Sequence, residues 1–290
     1  RGRYLALGDA LGAAYEGGVL EKAAWKAIGT NKGKCRWTDD TQMSIDIMES
    51  LISCGELNQD DMAKRFADSY EWSRGYGPGA AKILKKIKKG MHWQDANRSV
   101  YKDGSYGNGA AMRVAPVGLF FANDSAEVLV DAATNTAVIT HAHPLGVEGA
   151  VMIALATSLT AKDAESASIM AQLGDAANQE EFRERIALAA SWIANDKTRD
   201  VTEVRSGLGN GIAAHESAVT AVYCALAHRN LPFEDLLLYV RSLGGDVDTI
   251  GAMAGAIWGT SRGAAALSDE LLQQVEQYDY LEALAERFTR

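Results

Sequence analysis

The sequence predicts an all-α protein, and three observations carry that prediction. Proline is scarce, 4 residues in 290, which leaves room for long uninterrupted helices. Apolar residues recur at three- and four-residue intervals through most of the chain. Strict apolar–polar alternation bounded by turn residues, the mark of a half-buried strand, is hard to find anywhere in it. Glycine is plentiful, at 28 residues, but gathers in a few short motifs that read as tight turns.

In chain order, Met43, Ile47 and Leu51 mark one helical face, and Met62, Phe66 and Tyr70 a second. Residues 145–160 are apolar and alanine-rich nearly all round, the pattern of a central buried helix. Phe182, Ile186, Ala189 and Ile193 follow another face. Val219, Val222, Tyr223 and Leu226, then Leu236, Leu237 and Val240, continue the period. The lysine run from Lys82 to Lys89 is interleaved with Ile83, Leu84 and Ile87, so it reads as the solvated face of a helix stopping at Gly90. No linker, repeat or low-complexity segment divides the chain, and the expectation is one domain over residues 1–290.

Composition narrows the function classes. With 47% hydrophobic and 23% charged residues the chain is neither disordered, collagen-like nor a coiled coil. A formal charge of -9 argues against dominant non-specific nucleic-acid binding, while leaving a small anionic ligand open to local groups. Cys35, Cys54 and Cys224 are too few and too scattered for a disulfide framework, and without a C-x-x-C pair they do not suggest structural zinc. Reduced thiols and a cytoplasmic location are expected. No apolar stretch of about 20 residues is evident, so no membrane span is expected. The opening Arg1–Leu7 imitates the start of a signal peptide, but Asp9 interrupts it. No initiator methionine precedes Arg1, as expected of a trimmed chain.

The chemistry sits in acidic pairs at the starts of helices. Trp37-Thr38-Asp39-Asp40-Thr41 precedes one amphipathic pattern, and Gly244-Gly245-Asp246-Val247-Asp248-Thr249 precedes the small-residue helix from Ile250 to Trp258. Helix capping explains either motif alone. Two of them, each with paired carboxylates and a trailing threonine, invite a second reading. Four carboxylates brought together repel unless protonated or neutralised by cations. An all-oxygen set without Cys or His suits Mg²⁺ or Mn²⁺, and two pairs would hold two ions and orient a water. Glu16, at a glycine-flanked helix end, is either a surface residue or a mobile acid.

Gly104-Ser105-Tyr106-Gly107-Asn108-Gly109 and Arg74-Gly75-Tyr76-Gly77-Pro78-Gly79 offer small residues and backbone N–H groups that could surround a pyrophosphate, or are simply turns. Neither is a phosphate-binding loop of the Walker type. His141 and His143 are two apart, which suits a structural or ligand-contact role better than a shared metal. Gly209-Asn210-Gly211-Ile212 reads as a loop and cap.

In this order, Gly8-Asp9-Ala10-Leu11-Gly12, Thr38-Asp39-Asp40-Thr41, Gly107-Asn108-Gly109-Ala110-Ala111-Met112-Arg113, Gly245-Asp246-Val247-Asp248-Thr249 and Gly255-Ala256-Ile257-Trp258-Gly259 resemble the ADP-ribosylglycohydrolases, over nearly the whole chain. That resemblance implies a single compact orthogonal helical bundle with two Mg²⁺ or Mn²⁺ ions. Thr38, Asp39 and Asp40 match one ligand set, and Asp246, Asp248 and Thr249 the other. Glu16 matches an acidic residue on a flexible flap. Ser105, Tyr106, Gly107 and Asn108 match a loop holding the phosphates and adenosine, and Gly75, Gly77 and Gly79 a further phosphate contact. His141 and Ile212 match positions near the distal ribose and the adenine. The loops look most like the branch acting on serine-linked and poly(ADP-ribose), with one departure: Val100 stands where that branch has an aromatic, beside Tyr101. The expected partners are ADP-ribosylated proteins or ADP-ribose conjugates. The expected reaction is attack of a metal-activated water at the distal ribose anomeric carbon, with Asp246, Asp248 and Glu16 as catalytic groups. A catalytically silent ADP-ribose-binding module and a two-metal phosphohydrolase are the alternatives.

Overall fold

Wherever the apolar period is regular, the chain is helical. A computed structural model describes residues 2–13, 30–31, 33–195, 198–263 and 273–288, and among them are fifteen α-helices. They are α1 (Gly2–Gly12), α2 (Asp39–Cys54), α3 (Gln59–Ser69), α4 (Pro78–Lys88), α5 (Trp93–Val100), α6 (Ala115–Phe120), α7 (Ala126–Ala137) and α8 (Pro144–Ala161). The rest are α9 (Ser166–Ala176), α10 (Glu180–Ala194), α11 (Val201–Gly207), α12 (Ala214–Ala227), α13 (Phe233–Leu243), α14 (Val247–Arg262) and α15 (Tyr278–Phe288). A short antiparallel strand pair the sequence did not reveal, β1 (Thr30–Asn31) with β2 (Lys34–Cys35), lies between α1 and α2 in chain order. Strands this short carry no alternation to read.

Local chemistry sets the boundaries. Thr38 caps α2, and the helix stops where Gly55 takes φ 70° and donates to the Leu51 carbonyl. Asp200 and Glu203 form a reciprocal capping box at α11. His143 caps α8, its Nδ1 accepting from the Leu145 N–H at 3.2 Å, a local structural role. The expected faces are the ones buried. Met43, Ile47 and Leu51 of α2, Met62 and Phe66 of α3, and Phe182, Ile186 and Ala189 of α10 all enter one continuous core. Leu84 does so from α4, where Ile83 is also buried and the lysines stay on the outside.

Helix α8 is apolar enough and, at 18 residues, long enough to cross a membrane by length and composition, contrary to the reading of the sequence. It is a core helix: most of it is buried, against α6, α7, α9, α12 and α14. The closest pairing in the fold is α1 along α14. It depends on glycine. A Cβ on Gly8 would stand 2.0 Å from the Gly251 carbonyl oxygen, and one on Gly12 would stand 2.8 Å from the Asp248 Cα. The two backbones touch, so there is no side chain to move aside.

This contact gives a stability prediction. Gly8→Ala or Gly12→Ala forces main chain apart and should cost about 1–3 kcal/mol or more, read as a lower urea midpoint at unchanged slope. Gly174→Ala in α9, where the added methyl meets one Ile186 methyl carbon at 3.8 Å, should be neutral or stabilising.

Candidate functional site

The α1–α14 contact brings Asp9, beside Gly8, up to the two acidic helix starts. The carboxyl oxygens of Asp9, Asp40 and Asp248 lie within 4.8 Å of one another, and all three residues are buried. Asp9 is fully buried yet well solvated by protein. It accepts from the Thr38 N–H (2.9 and 3.1 Å) and hydroxyl (2.8 Å), and from the Thr41 N–H (3.1 Å) and hydroxyl (2.6 Å). Asp9 thus binds the free N–H groups that open α2, and it ties α1 to α2. Burial nevertheless raises its pKa to about 6.

Asp40 is under greater stress. Burial, then the charges of Asp9, Asp39 and Asp246, push its carboxyl well above the usual range. The Thr38 hydroxyl lies 2.8 Å from Asp9 and 2.8 Å from Asp40, but has one proton to give. The other contact sets two oxygen lone pairs against each other unless a carboxyl is protonated or a cation lies close by. Asp40 Oδ1 is buried with no hydrogen-bond partner among the described residues. An orphaned carboxylate oxygen, clustered acids and hydroxyl neighbours form the oxygen-only donor set that a hard divalent cation takes.

The start of α14 is shaped by Gly244 and Gly245, at φ 60° and 74°. A Cβ on Gly245 would lie 2.1 Å from the Asn210 carbonyl oxygen, which instead accepts the Asp246 N–H at 2.9 Å. Asp246 occupies the cap position without capping through its side chain. Its carboxylate accepts from the Asn108 amide, which also donates to Ser217 Oγ at 3.0 Å. Asp248 Oδ1 accepts from the Thr249 N–H at 2.8 Å. Capping therefore accounts for Thr38, but not for the burial of Asp39, Asp40, Asp246 and Asp248 together.

These acids floor a cleft of about 530 Å³. One wall is the Gly75–Gly79 loop and another is Ser105 to Gly109, with Tyr101, His141 and Ile212 completing it. The 105–109 loop is fixed by pairing with 212–214: Asn108 donates its N–H to the Ile212 carbonyl at 2.9 Å, and Ala214 to the Tyr106 carbonyl at 3.0 Å. Gly75 takes φ 88°. It is preceded by Arg74, whose buried guanidinium pairs with Glu276, donates to the Trp37 carbonyl at 2.9 Å and lies over the Trp37 ring. The cleft wall and the residue before Thr38 are thereby fastened together.

Of the residues singled out from sequence, Asp39, Asp40, Gly75, Gly77, Gly79, Ser105, Gly107, Asn108, His141, Ile212, Asp246, Asp248 and Thr249 line this one cleft. Thr38 lies just beneath it, between Asp9 and Asp40. Asp39 and Asp246 are outside the tight carboxyl triad. The Tyr106 ring stands 56% exposed at the surface, edge-on to His143. Gly79 makes room for an aromatic ring: a Cβ there would lie 2.4 Å from Tyr101, the neighbour of Val100. Glu16 lies outside the described residues. Asp9 and Arg113 were missed as site residues. Both stand in motifs that carry the family resemblance, Asp9 also as the aspartate interrupting the apolar stretch of α1, but neither was given a role.

Arg113 is a fully buried guanidinium with no carboxylate in salt-bridge range among the described residues. It donates to Thr140 Oγ1 (2.9 Å), the Thr136 carbonyl (3.3 Å) and Met43 Sδ (3.5 Å), and faces the Phe66 ring at 4.7 Å. Burial lowers its pKa to about 10, opposed by the charges of Asp39, Tyr76 and Asp46. Asp46, accepting from Ser69 at 2.5 Å, is pushed up to about 7 by burial.

The comparisons place the chain in a family. The sequence model of the ADP-ribosylglycohydrolase family matches residues 5–290. Proteins named ADP-ribosylhydrolase ARH3 from Mus musculus and Homo sapiens are 35% and 36% identical over 287 and 288 residues. These alignments cover 88% of this chain, and 77% and 78% of theirs. A solved structure described as an ADP-ribosylglycohydrolase-related protein complex has the same fold, with TM-score 0.71 at 24% identity over 99% of this chain and 95% of that one. The chain belongs to the ADP-ribosylglycohydrolase family. It is a hydrolase of that family, built on the family's all-α fold.

Two predictions follow from the buried charges. Mg²⁺ or Mn²⁺ should raise the thermal midpoint of the wild-type protein and EDTA should reverse it, whereas Asp40→Asn should keep its EDTA stability and lose the cation response. Asp46 has a folded pKa of about 7 against an ordinary 3.8. Its stabilisation is therefore complete below about pH 4 and lost as pH rises through about 7. Denaturant midpoints in EDTA should fall less steeply over that range in Asp46→Asn than in wild type.

Proposed function

We propose that this chain removes ADP-ribose from modified proteins or related ADP-ribose conjugates by hydrolysis at the anomeric carbon of the distal ribose. The observation that carries this reading is the placement of a buried carboxyl cluster at the floor of a glycine-walled cleft. Two Mg²⁺ or Mn²⁺ ions held by Thr38, Asp39, Asp40, Asp246, Asp248 and Thr249 would supply a bound water of lowered pKa.

The chain's own residues do the rest. Asp246 and Asp248 orient the water, with Asp246 steadied by Asn108. The Ser105 and Tyr106 N–H groups and the open glycine stretch 75–79 donate to the pyrophosphate, whose charge an acidic protein otherwise repels, while the Gly107 and Asn108 N–H groups hold the loop itself. Gly75 and Gly77 have no atom within 3.5 Å of a would-be Cβ, so a phosphate can approach their backbone. His141 faces the distal ribose, and the exposed Ile212 with Tyr101 offers apolar surface to the adenine. Glu16 is the proposed acid–base group. Departure of the protein-linked oxygen or nitrogen proceeds through an oxocarbenium-like transition state, as in other glycosidic cleavages.

The test is a mass-spectrometric product assay on serine-linked and arginine-linked ADP-ribosyl peptides with Mg²⁺, using EDTA as control. Intact ADP-ribose is expected from the serine peptide. Release from the arginine peptide alone keeps the reaction and changes the linkage, AMP would indicate pyrophosphate cleavage, and tight ADP-ribose binding without release would indicate a binding module. Asp248→Asn should lower turnover at least about 100-fold while unfolding remains cooperative.

A further inference from the structure

His141 has two ring nitrogens in very different surroundings. The residue is only 7% exposed. Nδ1 lies 2.8 Å from Thr140 Oγ1, away from the cleft. Nε2 has no partner among the described residues and faces the backbone of Gly107 and Gly109, where added Cβ atoms would stand 3.7 and 2.9 Å from it. A buried side chain therefore presents one unpartnered polar atom to the substrate cleft.

Counting protons decides which kind of atom it is. Arg113 can only donate, and it donates to Thr140 Oγ1. The threonine hydroxyl has one proton, and the sole acceptor within its reach among the described residues is His141 Nδ1. If Nδ1 carried a hydrogen, it too would point at that oxygen, and the buried hydroxyl proton would be left without an acceptor, a costly arrangement. A neutral ring accepting at Nδ1 must carry its hydrogen on Nε2. Burial and the nearby Arg113 charge both oppose the doubly protonated ring.

We infer that Arg113 and Thr140 are positioning residues that hold His141 as a neutral Nε2–H tautomer, so that it enters the cleft as a hydrogen-bond donor to an acceptor oxygen of the substrate. This rests on the reading of the cleft as an ADP-ribose site. A donor without charge discriminates in favour of phosphate and ribose oxygens, while adding no cation near Asp40 and its neighbours. Arg113, which also borders the cleft, acts here through its neighbour: it fixes which way the hydroxyl points, and the hydroxyl fixes the ring.

The experiment uses the full chain labelled with ¹⁵N at histidine, and long-range ¹H–¹⁵N correlation spectra of the His141 ring at neutral pH. The expected signature is a protonated Nε2 and an unprotonated Nδ1 in wild type and in Thr140→Ser. In Thr140→Val the signature should be lost, and the ADP-ribose dissociation constant should rise about tenfold, an effect that Thr140→Ser largely restores. A hydrogen on Nδ1 in wild type overturns the proposal without needing any variant. So does Thr140→Val with both tautomer and affinity unchanged. Loss of the signature in Thr140→Val without a change in ADP-ribose affinity leaves the tautomer relay intact and overturns its role in binding. Absence of any ADP-ribose binding by wild type overturns the functional reading instead, and the spectra separate that result from failure of the relay.

Discussion

Asp9, Asp39, Asp40, Asp246 and Asp248 are gathered out of solvent at one place, and the rest of the architecture answers to that concentration of charge. Water would ordinarily solvate such groups. Here the solvation comes from helix-start N–H groups, threonine hydroxyls and the Asn108 amide. These donors suffice for Asp9 and leave Asp40 with an oxygen unserved. The fold therefore carries an electrostatic deficit at a defined point, and the shape around that point decides what can relieve it. Arg113 offsets part of the field from within the core, without making an ion pair that would consume a carboxylate oxygen. Leaving those oxygens available is what separates this cluster from an ordinary buried salt-bridge network.

Much of this was legible in the amino-acid sequence, for reasons that differ between segments. Helices α2, α3, α10 and α12 repeat large apolar residues on one face, so their burial follows from the period alone. The acidic pairs at 39–40 and 246–248 are conspicuous because two carboxylates and a threonine at a helix start exceed what a cap requires. Asp9 was harder. One aspartate inside an amphipathic helix looks like a solvent-facing position, and only the approach of α1 to α2 and α14 turns it inward. Arg113 and Thr140 are illegible for a related reason. Each is a common residue whose meaning lies in partners distant in sequence, or in the direction of a single hydroxyl proton. Helix α8 was legible as a central buried helix from its all-round apolar composition, and even its Glu148, Thr157 and Thr160 are buried with the rest.

The glycine motifs divide into two kinds once their surroundings are known. Gly75 and Gly77 keep backbone open toward the cleft, with no atom nearer than 3.7 Å to a would-be Cβ on Gly75 and none within 4 Å on Gly77. Gly79 gives its space to the Tyr101 ring, and Gly109 to the His141 ring. A sequence pattern of alternating glycines cannot tell these apart, because absence of a side chain serves a ligand and a neighbouring residue equally well.

The contact of α1 with α14 has a further consequence for how such a chain can change its length. A helix advances about 1.5 Å and turns about 100° per residue. Gly8 and Gly12 meet main chain rather than deformable side chains, so a single insertion or deletion within either helix has no intermediate position in which to settle. It would swing Asp9 or Asp248 off the site in one step. Loops elsewhere can absorb such changes. In these two helices chain length is quantised, and the spacing of the acids is inherited from the backbone itself.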